Sequence, residues 1–168
     1  MAVQMKRREA GASLVEFALI APLVFALLLG MFTGGLSLSR KNSMTNAVRE
    51  GARLGATLDE SSDWAEAVRT RVVALSGGDL AGDQVCVALV KRESATTVDT
   101  RQATSCPVAL ASGEPSDADI PEDQCAVKVW AGRSSDLNVI FFNRQLDLEA
   151  ATVSRYERAG EDGECTSL

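Results

Sequence analysis

The sequence predicts an α+β protein in which a long N-terminal transmembrane helix continues into an exported domain with a second helix and a mainly antiparallel sheet. Residues 17–36 form an apolar run without a single charge, and residues 37–75 keep apolar side chains at mostly helical spacing. From Asp83 onward the hydrophobic period falls to two. Helices followed by a run of strands are typical of an α+β body, in which the sheet packs against the helices.

The first helix is predicted over residues 12–57. Its uncharged part, residues 17–36, is long enough as a helix to cross a bilayer. Pro22 removes the hydrogen bond to the carbonyl of Ala18, so we expect a kink or a locally unwound turn there.

Two small-residue spacings lie along this helix. Gly30 and Gly34 permit close approach of another helix within the membrane. Ala47, Gly51 and Gly55 repeat the spacing outside the membrane. We expect the second set to pack against the sheet of the same chain, with packing against another protein's helix as the alternative.

The N-terminal flank contains three basic residues, followed by Gly11 and, five positions later, by Glu16. A glutamate at the head of an apolar segment is costly unless it has a partner. A secretory signal peptide fits poorly, because the apolar run is too long and no small-x-small cleavage site follows before Arg40. A plain single-pass anchor explains the apolar run but not the Gly11/Glu16 pair. A type IV prepilin-like leader over residues 1–11, cut after the glycine, explains both.

Cleavage between Gly11 and Ala12 would leave the apolar segment on the mature chain with a new α-amine. With a pKa of about 7.7–8.0 this amine is largely cationic at neutral pH. Glu16 lies four residues on and can pair with the amine of its own chain or of a neighbour, and a low dielectric strengthens such a pair. The alternatives are a glycine that starts the helix and a glutamate that reaches the membrane surface.

Beyond the first helix, a second is predicted over Asp59–Leu75, with Asp63 as its cap and Gly77–Gly78 as its end. Its apolar stripe consists of Trp64, Val68, Val72 and Leu75. Strands are predicted at residues 85–91, 126–130, 138–142 and 146–156, with a further short strand within 94–104. The pattern of 146–156 also fits a helix, and we favour the strand. The acidic, Pro-rich loop 107–124 is expected to be exposed, so neutralising its acids should change stability little. Those acids are Asp117, Asp119, Glu122 and Asp123.

All four cysteines lie beyond the membrane segment, without C-x-x-C spacing, and the chain has no histidine. A zinc site is therefore disfavoured, and two structural disulfides in an oxidising compartment are expected. Three pairings are possible. We favour Cys106–Cys125, which would tether the Pro-rich loop, together with Cys86–Cys165, which would hold the C-terminal tail.

The charge balance and the composition exclude some classes of function. Removing residues 1–11 changes the net charge from −6 to −8, because three basic residues and one acid leave. An acidic body argues against nucleic-acid binding. The basic flank predicts a cytoplasmic N-terminus. Arg40 and Lys41 lie on the far side of the apolar run and oppose this orientation. The cysteines support it, because the disulfides expected beyond the membrane segment need an oxidising compartment. Without histidine the common hydrolytic triads are excluded, and no catalytic residue, cofactor or metal is expected.

Three segments together resemble the TadE-like family, minor pseudopilins of tight-adherence (Flp-type) pilus systems. They are GASLVEFALIAPLVFALLLG from Gly11, NAVREGARLGA at 46–56 and RYE at 155–157. Residues 60–145 carry no specific motif of the family.

The resemblance implies processing after Gly11, recognition and assembly through Glu16 and Phe17, and a role in pilus assembly or priming. The implied partners are a prepilin peptidase, other pilins and pseudopilins, and the pilus assembly platform. The alternative function is that of an unprocessed single-pass membrane protein, whose extracytoplasmic domain (58–168) binds a ligand or partner.

Overall fold

The computed structural model describes residues 5–94, 97–139, 142–158 and 165. Within this part of the chain the α+β class is confirmed, with a four-stranded antiparallel sheet in the order β2-β1-β3-β4. The helices and strands are α1 (Met5–Thr57), α2 (Trp64–Leu75), β1 (Val85–Arg92), β2 (Val98–Ala103), β3 (Gln124–Val139) and β4 (Phe142–Arg155). Three short 3-10 helices, at Gly82–Gln84, Val108–Gly113 and Asp117–Asp119, lie in the connections.

Helix α1 is uninterrupted from Met5 to Thr57. The unwinding expected at Pro22 is therefore not observed. A proline removes one backbone hydrogen bond, and the good helix-forming residues on both sides keep the other hydrogen bonds of the helix. The helix also begins before Gly11, so the boundary between leader and membrane segment is not marked by a break in secondary structure.

The core is formed where the C-terminal third of α1 and the whole of α2 cover one face of the sheet. From α1 the buried side chains are those of Met44, Ala47, Val48, Ala52 and Ala56. From the sheet they include Val85, Val87, Leu89, Val127 and Val129. Part of the core of the body is thus contributed by residues 44–56. A fragment of residues 58–168 would lack this part of the core.

Helix α2 differs from its prediction at both ends. It begins at Trp64 instead of Asp59, and Asp63 holds the N-cap position without a capping hydrogen bond from its side chain. Trp64, Val68 and Val72 are buried as predicted, whereas Leu75 is 37% exposed. Gly77 and Gly78 end the helix as predicted, with positive φ values that glycine adopts at little cost.

Two of the predicted strands are parts of one hairpin. Strand β3 runs through residues 126–130 to Val139, and β4 starts at Phe142, with these two residues paired. Residues 138–139 of the strand predicted at 138–142 thus belong to β3 and residue 142 belongs to β4, so a separate strand there is wrong, while residues 140–141 lie outside the described residues. Residues 131–137 are mostly small or polar and lack a strand-like pattern, but continuous pairing with β4 overrides their low propensity. The strands predicted at 85–91, within 94–104 and at 146–156 are confirmed as β1, β2 and the greater part of β4.

The loop between β2 and β3 covers the second face of the sheet, contrary to the expectation that it is simply exposed. Ile120 is 1% exposed and packs in a cluster with Trp130. The indole Nε1 of Trp130 donates to the carbonyl of Leu110 at 3.0 Å. The guanidinium of Arg92 donates to the Ile120 carbonyl at 2.5 Å. This loop is thus part of the folded body.

Lys128 is the charged residue that ties this loop to β3. It is 1% exposed, and its Nζ lies 2.5 Å from the carboxylate of Glu114 and 2.8 Å from that of Asp117. A buried ammonium needs such partners, because its desolvation is otherwise uncompensated. Asp117 is therefore the ion-pair partner of a buried group, and the expectation that the loop acids are simply exposed does not hold for it.

We expect Glu114→Gln combined with Asp117→Asn to lower the free energy of unfolding by about 3 kcal/mol, since a buried charge then lacks a counter-charge. Because the two carboxylates are half exposed, we expect a loss at the lower end of the range found when one partner of a buried ion pair is removed. Denaturant unfolding of the full-length protein in detergent measures it. The exposed Glu122→Gln is the control, with a change within about 0.5 kcal/mol. Equal midpoints for the double variant and the control would contradict the ion-pair role.

Both disulfides predicted from the sequence form, but with exchanged partners. The structure pairs Cys86 with Cys106 and Cys125 with Cys165, so the predicted pairs Cys106–Cys125 and Cys86–Cys165 are wrong. Cys86 and Cys106 belong to the cluster under the loop, whereas Cys125 and Cys165 belong to the core under the helices. The sheet thus separates the residues of each predicted pair.

Candidate functional site

The candidate site is the part of α1 that projects from the body, residues 11–42. Its side chains are exposed or half-buried, and its large apolar residues lie open along the whole segment. Among the described residues one helix, Gly11–Thr57, is long and apolar enough to cross a membrane. An exposed apolar surface of this size requires either lipid or other apolar helices around it. The chain is therefore consistent with a single-pass membrane protein.

The four residues predicted for processing and recognition lie within the first turns of this segment. Gly11, Ala12, Glu16 and Phe17 are all helical and exposed. Ala12 and Glu16 are four residues apart, so they lie on the same face of the helix, one turn from each other. An amine on Ala12 and the Glu16 carboxylate could therefore meet within one chain, or each could reach a neighbouring chain.

The glycines of α1 fall into two classes. At Gly11, Gly30 and Gly34 an added Cβ would meet nothing within 4 Å. At Gly51 it would collide with the side chain of Val72, and at Gly55 it would lie 3.0 Å from the Cγ1 of Val127. The second class is needed by the fold of this chain. Gly55 lies against the sheet, as expected for this spacing, whereas Gly51 packs against α2 and not against the sheet. The first class has no packing partner within the described residues.

The face around Gly30 and Gly34 also carries two hydroxyls. The Oγ1 of Thr33 donates to the carbonyl of Leu29 at 2.9 Å, and the Oγ of Ser37 donates to that of Thr33 at 3.2 Å. Their hydrogen bonds are satisfied within the helix, so lipid or a second helix can cover this face without leaving a polar group unpaired.

The opposite end of α1 is held by a set of hydrogen bonds that the sequence analysis missed. The last carbonyls of a helix have no partner inside it. Here the indole Nε1 of Trp64 donates to the Gly55 carbonyl at 3.0 Å, and the backbone N–H of Glu157 donates to the Ala56 carbonyl at 2.9 Å. The Tyr156 hydroxyl donates to the Leu58 carbonyl at 2.9 Å. We call these three contacts the helix clamp.

The helix clamp joins α1 to α2 and to the end of β4. Its residues Tyr156 and Glu157 belong to the RYE segment quoted above, and Arg158 adds an ion pair with Asp59. A force or displacement applied to the projecting part of α1 therefore reaches the sheet through a continuous helix and a bonded junction. The RYE segment was singled out in the sequence as part of the family resemblance, but nothing in the sequence indicated its contact with the end of α1.

The exposed face of α1 beside the body carries a charge pair. Glu50 accepts hydrogen bonds from the guanidinium of Arg53 at 2.8 and 2.9 Å, and this contact lowers the pKa of the Glu50 carboxyl. Both groups are open to solvent, so the pair stabilises the helix little. This part of α1 is thus a solvated helix face.

The helix clamp makes stability depend on pH through Tyr156. Burial raises the pKa of its phenol above the usual value, and the nearby Glu60 carboxylate raises it further. The unfolded state then ionises first, so this contribution is complete below about pH 10 and is lost as the pH rises through the folded-state pKa.

We therefore expect the free energy of unfolding to fall more steeply above pH 10 in the wild type than in Tyr156→Phe. At pH 7 the variant should lose about 1 kcal/mol with its hydrogen bond. Denaturant titrations at intervals from pH 7 to 11 measure both effects. Parallel curves for the two proteins above pH 10 would contradict the assignment.

Comparison with known proteins identifies one match. The family model described as TadE-like protein matches residues 11–53, which comprise the projecting part of α1 and most of its packing segment. No curated protein and no solved structure matches the chain. The sheet, α2 and the loop lie outside the matched range.

Proposed function

From the premise that residues 11–53 are a TadE-like segment, which associates the chain with tight-adherence pili, we propose that it is a minor pseudopilin of such a pilus. In this proposal it is processed after Gly11 and contributes to pilus assembly or priming. It crosses the cytoplasmic membrane once, with its N-terminus in the cytoplasm and its body outside, and can enter the pilus. Its role is structural, with no catalytic step of its own.

The observation that carries this proposal is the contrast among the glycines of α1. Glycine inside a helix costs about 1 kcal/mol relative to alanine. Gly51 and Gly55 have an evident reason in the packing of the body, whereas Gly11, Gly30 and Gly34 have none within the described residues. Contacts with other molecules would supply that reason: a peptidase at Gly11, and neighbouring helices at Gly30 and Gly34.

The geometry supports the following sequence of events. The precursor inserts through the apolar segment of α1, and prepilin peptidase cleaves the bond between Gly11 and Ala12. A residue without a Cβ can leave the helical conformation and approach the protease closely. The new α-amine is then neutralised by Glu16, and the intermolecular version of this pair would set the register between adjacent subunits.

Lateral packing through the Gly30/Gly34 face would follow, with other pilins and pseudopilins as partners. The assembly platform would act on the projecting helix, and the helix clamp would transmit its displacement to the body. Since the body keeps α1 residues 44–56 in its core, the surface offered to partners is the segment N-terminal to them.

The experiment that tests this proposal is intact-mass and N-terminal analysis of protein isolated from membranes with an active prepilin peptidase. We expect the wild-type chain to begin at Ala12. Gly11→Leu should keep the Met1 end, because a branched side chain obstructs the protease. The control is Gly30→Leu, a glycine in equally open space on the same helix, which should be processed normally.

A wild-type chain that retains Met1 under these conditions would reject the pseudopilin proposal. It would favour the alternative function, an unprocessed single-pass protein whose outer domain binds a ligand or partner. Processing of Gly11→Leu at the normal position would show that cleavage does not need the glycine. The proposed explanation of Gly11, close approach of the peptidase, would then be wrong.

A further inference from the structure

The two edges of the sheet differ in how well they could accept a further strand. Strand β2, at one edge, has six residues and a register shift against β1, and the side chain of Gln102 donates to the carbonyl of Ser61 at 2.8 Å. Strand β4, at the other edge, pairs with β3 over residues 145–155 without a register shift, and no strand among the described residues pairs with its outer side. A long and regular edge is a template for another strand, whereas a short and irregular edge is protected.

The hydrogen bonds of the ladder show which backbone groups of β4 face the open side. The N–H of Tyr156 donates to the carbonyl of Cys125 at 2.9 Å, so these two residues form a hydrogen-bonded pair. Hydrogen-bonded and non-hydrogen-bonded pairs alternate in an antiparallel ladder. The residues of β4 in non-hydrogen-bonded pairs, whose N–H and C=O groups therefore point away from β3, are Glu149, Ala151, Val153 and Arg155.

A groove of about 640 Å³ lies beside this edge, on the face of the sheet that the β2–β3 loop covers. It is lined by Pro115 and Pro121 of the loop and by Ala151, Val153 and Arg155 of β4. Ala151 and Arg155 are exposed, since the loop packs on β1 and β3 and leaves this part of β4 open. Alternate side chains of a strand added at the edge would point to this face and enter the groove.

The charges on the groove face of β4 specify which strand would fit. Acidic residues lie towards the start of β4 and a basic residue lies at its end, with Ala151 and Val153 between them. The residues opposite these charges on β3 are uncharged. No ion pair with another described residue is formed by Asp147, Glu149 or Arg155. A strand with the opposite order of charges would therefore complement this edge.

A second copy of this chain does not fit the edge within one membrane, although its β4 carries the same charges. Gly55, near the end of α1, lies against Val127 of β3. Earlier on the helix, Arg40 lies 4.0 Å from the carboxylate of Asp79, which pairs with Arg133 of β3 at 3.2 Å. Strand β3 thus runs antiparallel to α1, and β4 runs parallel to it. Two β4 edges joined antiparallel would direct their apolar helices in opposite directions.

We propose that the outer edge of β4 and the adjoining groove bind an extended strand of a partner protein, which continues the sheet antiparallel to β4. The partner strand has an acidic residue opposite Arg155, apolar residues opposite Val153 and Ala151, and a basic residue opposite Glu149. Backbone hydrogen bonds provide the affinity, and the charges determine register and direction. This surface is separate from the projecting part of α1, and only the exclusion of a second copy rests on the transmembrane placement of α1.

The test uses the full-length protein in zwitterionic detergent and the synthetic peptide Glu-Thr-Val-Thr-Val-Thr-Lys, amidated and labelled with fluorescein through a glycine spacer. Fluorescence anisotropy measures its dissociation constant. One control peptide has the glutamate and the lysine exchanged, which places like charges opposite Arg155 and Glu149. The other carries N-methyl groups on both valines, which removes two donors that face β4 and keeps the side chains. We expect each control peptide to bind more weakly by about tenfold or more.

Variants of the edge provide the matched test on the protein. Ala151→Pro removes an N–H that faces the open side, where an edge strand tolerates proline, and should weaken peptide binding by about tenfold or more. Ala151→Thr keeps the N–H and should bind as the wild type does. The exposed Arg155→Glu should reverse the preference between the two peptides of opposite charge order, and it serves as the test if Ala151→Pro does not fold.

Equal binding of the three peptides, absence of binding by the wild type, or a preference unchanged in Arg155→Glu would overturn this proposal. A wild type that is dimeric in detergent and becomes monomeric in Ala151→Pro would also overturn it, because the edge would then belong to a second copy. None of these results concerns cleavage after Gly11, so the pseudopilin proposal would stand or fall separately.

Discussion

Replacement of Glu16 with leucine is expected to leave the chain in the membrane and to exclude it from complexes with partner pilins. Glu16 is exposed on the projecting part of α1, and removal of a charge from the head of an apolar segment favours insertion. If the chain is processed as proposed, the α-amine of Ala12 then lies in a low dielectric without a counter-charge. A loss of 1.4 kcal/mol already reduces association tenfold, and unpaired buried charges cost more, so we expect a reduction above about tenfold.

The measurement is co-purification of pilus components with tagged full-length protein, beside carbonate extraction to confirm membrane insertion. Val15→Leu is the matched control, because it changes the adjacent exposed apolar residue without altering charge. Normal co-purification of Glu16→Leu would show that the glutamate merely reaches the membrane surface and has no role in assembly.

The second large effect is expected from the disulfide that holds the C-terminal end of the chain. Cys125 and Cys165 are separated by 40 residues, and Cys86 and Cys106 by 20. In the chain-entropy account, loss of the longer bridge costs about 4 kcal/mol and loss of the shorter about 3 kcal/mol. Cys165 is also fully buried in the core under the helices, next to the region of the helix clamp.

We expect Cys125→Ser combined with Cys165→Ser to lower the unfolding midpoint markedly, and Cys86→Ser combined with Cys106→Ser to do so by a slightly smaller amount. Paired substitutions leave no unpaired thiol, and digestion without reductant identifies the linked peptides. Recovery of peptides that link Cys106 to Cys125 would refute the pairing. Four free thiols in protein isolated without reductant would refute the oxidising compartment as well.

The elements with a strong local pattern were predicted from the sequence. The apolar run, the stripe of α2 and the alternation in β1 and β4 are visible as periods of 3.6 and 2, because each repeats over several turns or residue pairs. Gly11, Ala12 and Glu16 were selected by their spacing relative to the apolar run, and Phe17 by the family resemblance. Their roles remain proposals.

The contacts between distant segments depended on the tertiary structure. Which cysteines pair is decided by the two faces of the sheet, and Cys106 and Cys125 lie on different faces although they are near each other in sequence. The partners of Lys128 lie in a loop that has no strand or helix pattern long enough to predict its position.

The sequence by itself thus determined the α+β class, the projecting apolar helix and the number of disulfides. The tertiary structure alone decided the disulfide partners, the helix clamp, the buried ion pair and the length of the β3–β4 hairpin. The physical reason is that periodicity records which face of an element is buried, but not what buries it. Gly30 and Gly51 belong to similar small-residue spacings in one helix, and only the folded chain shows that one lies in open space and the other against Val72.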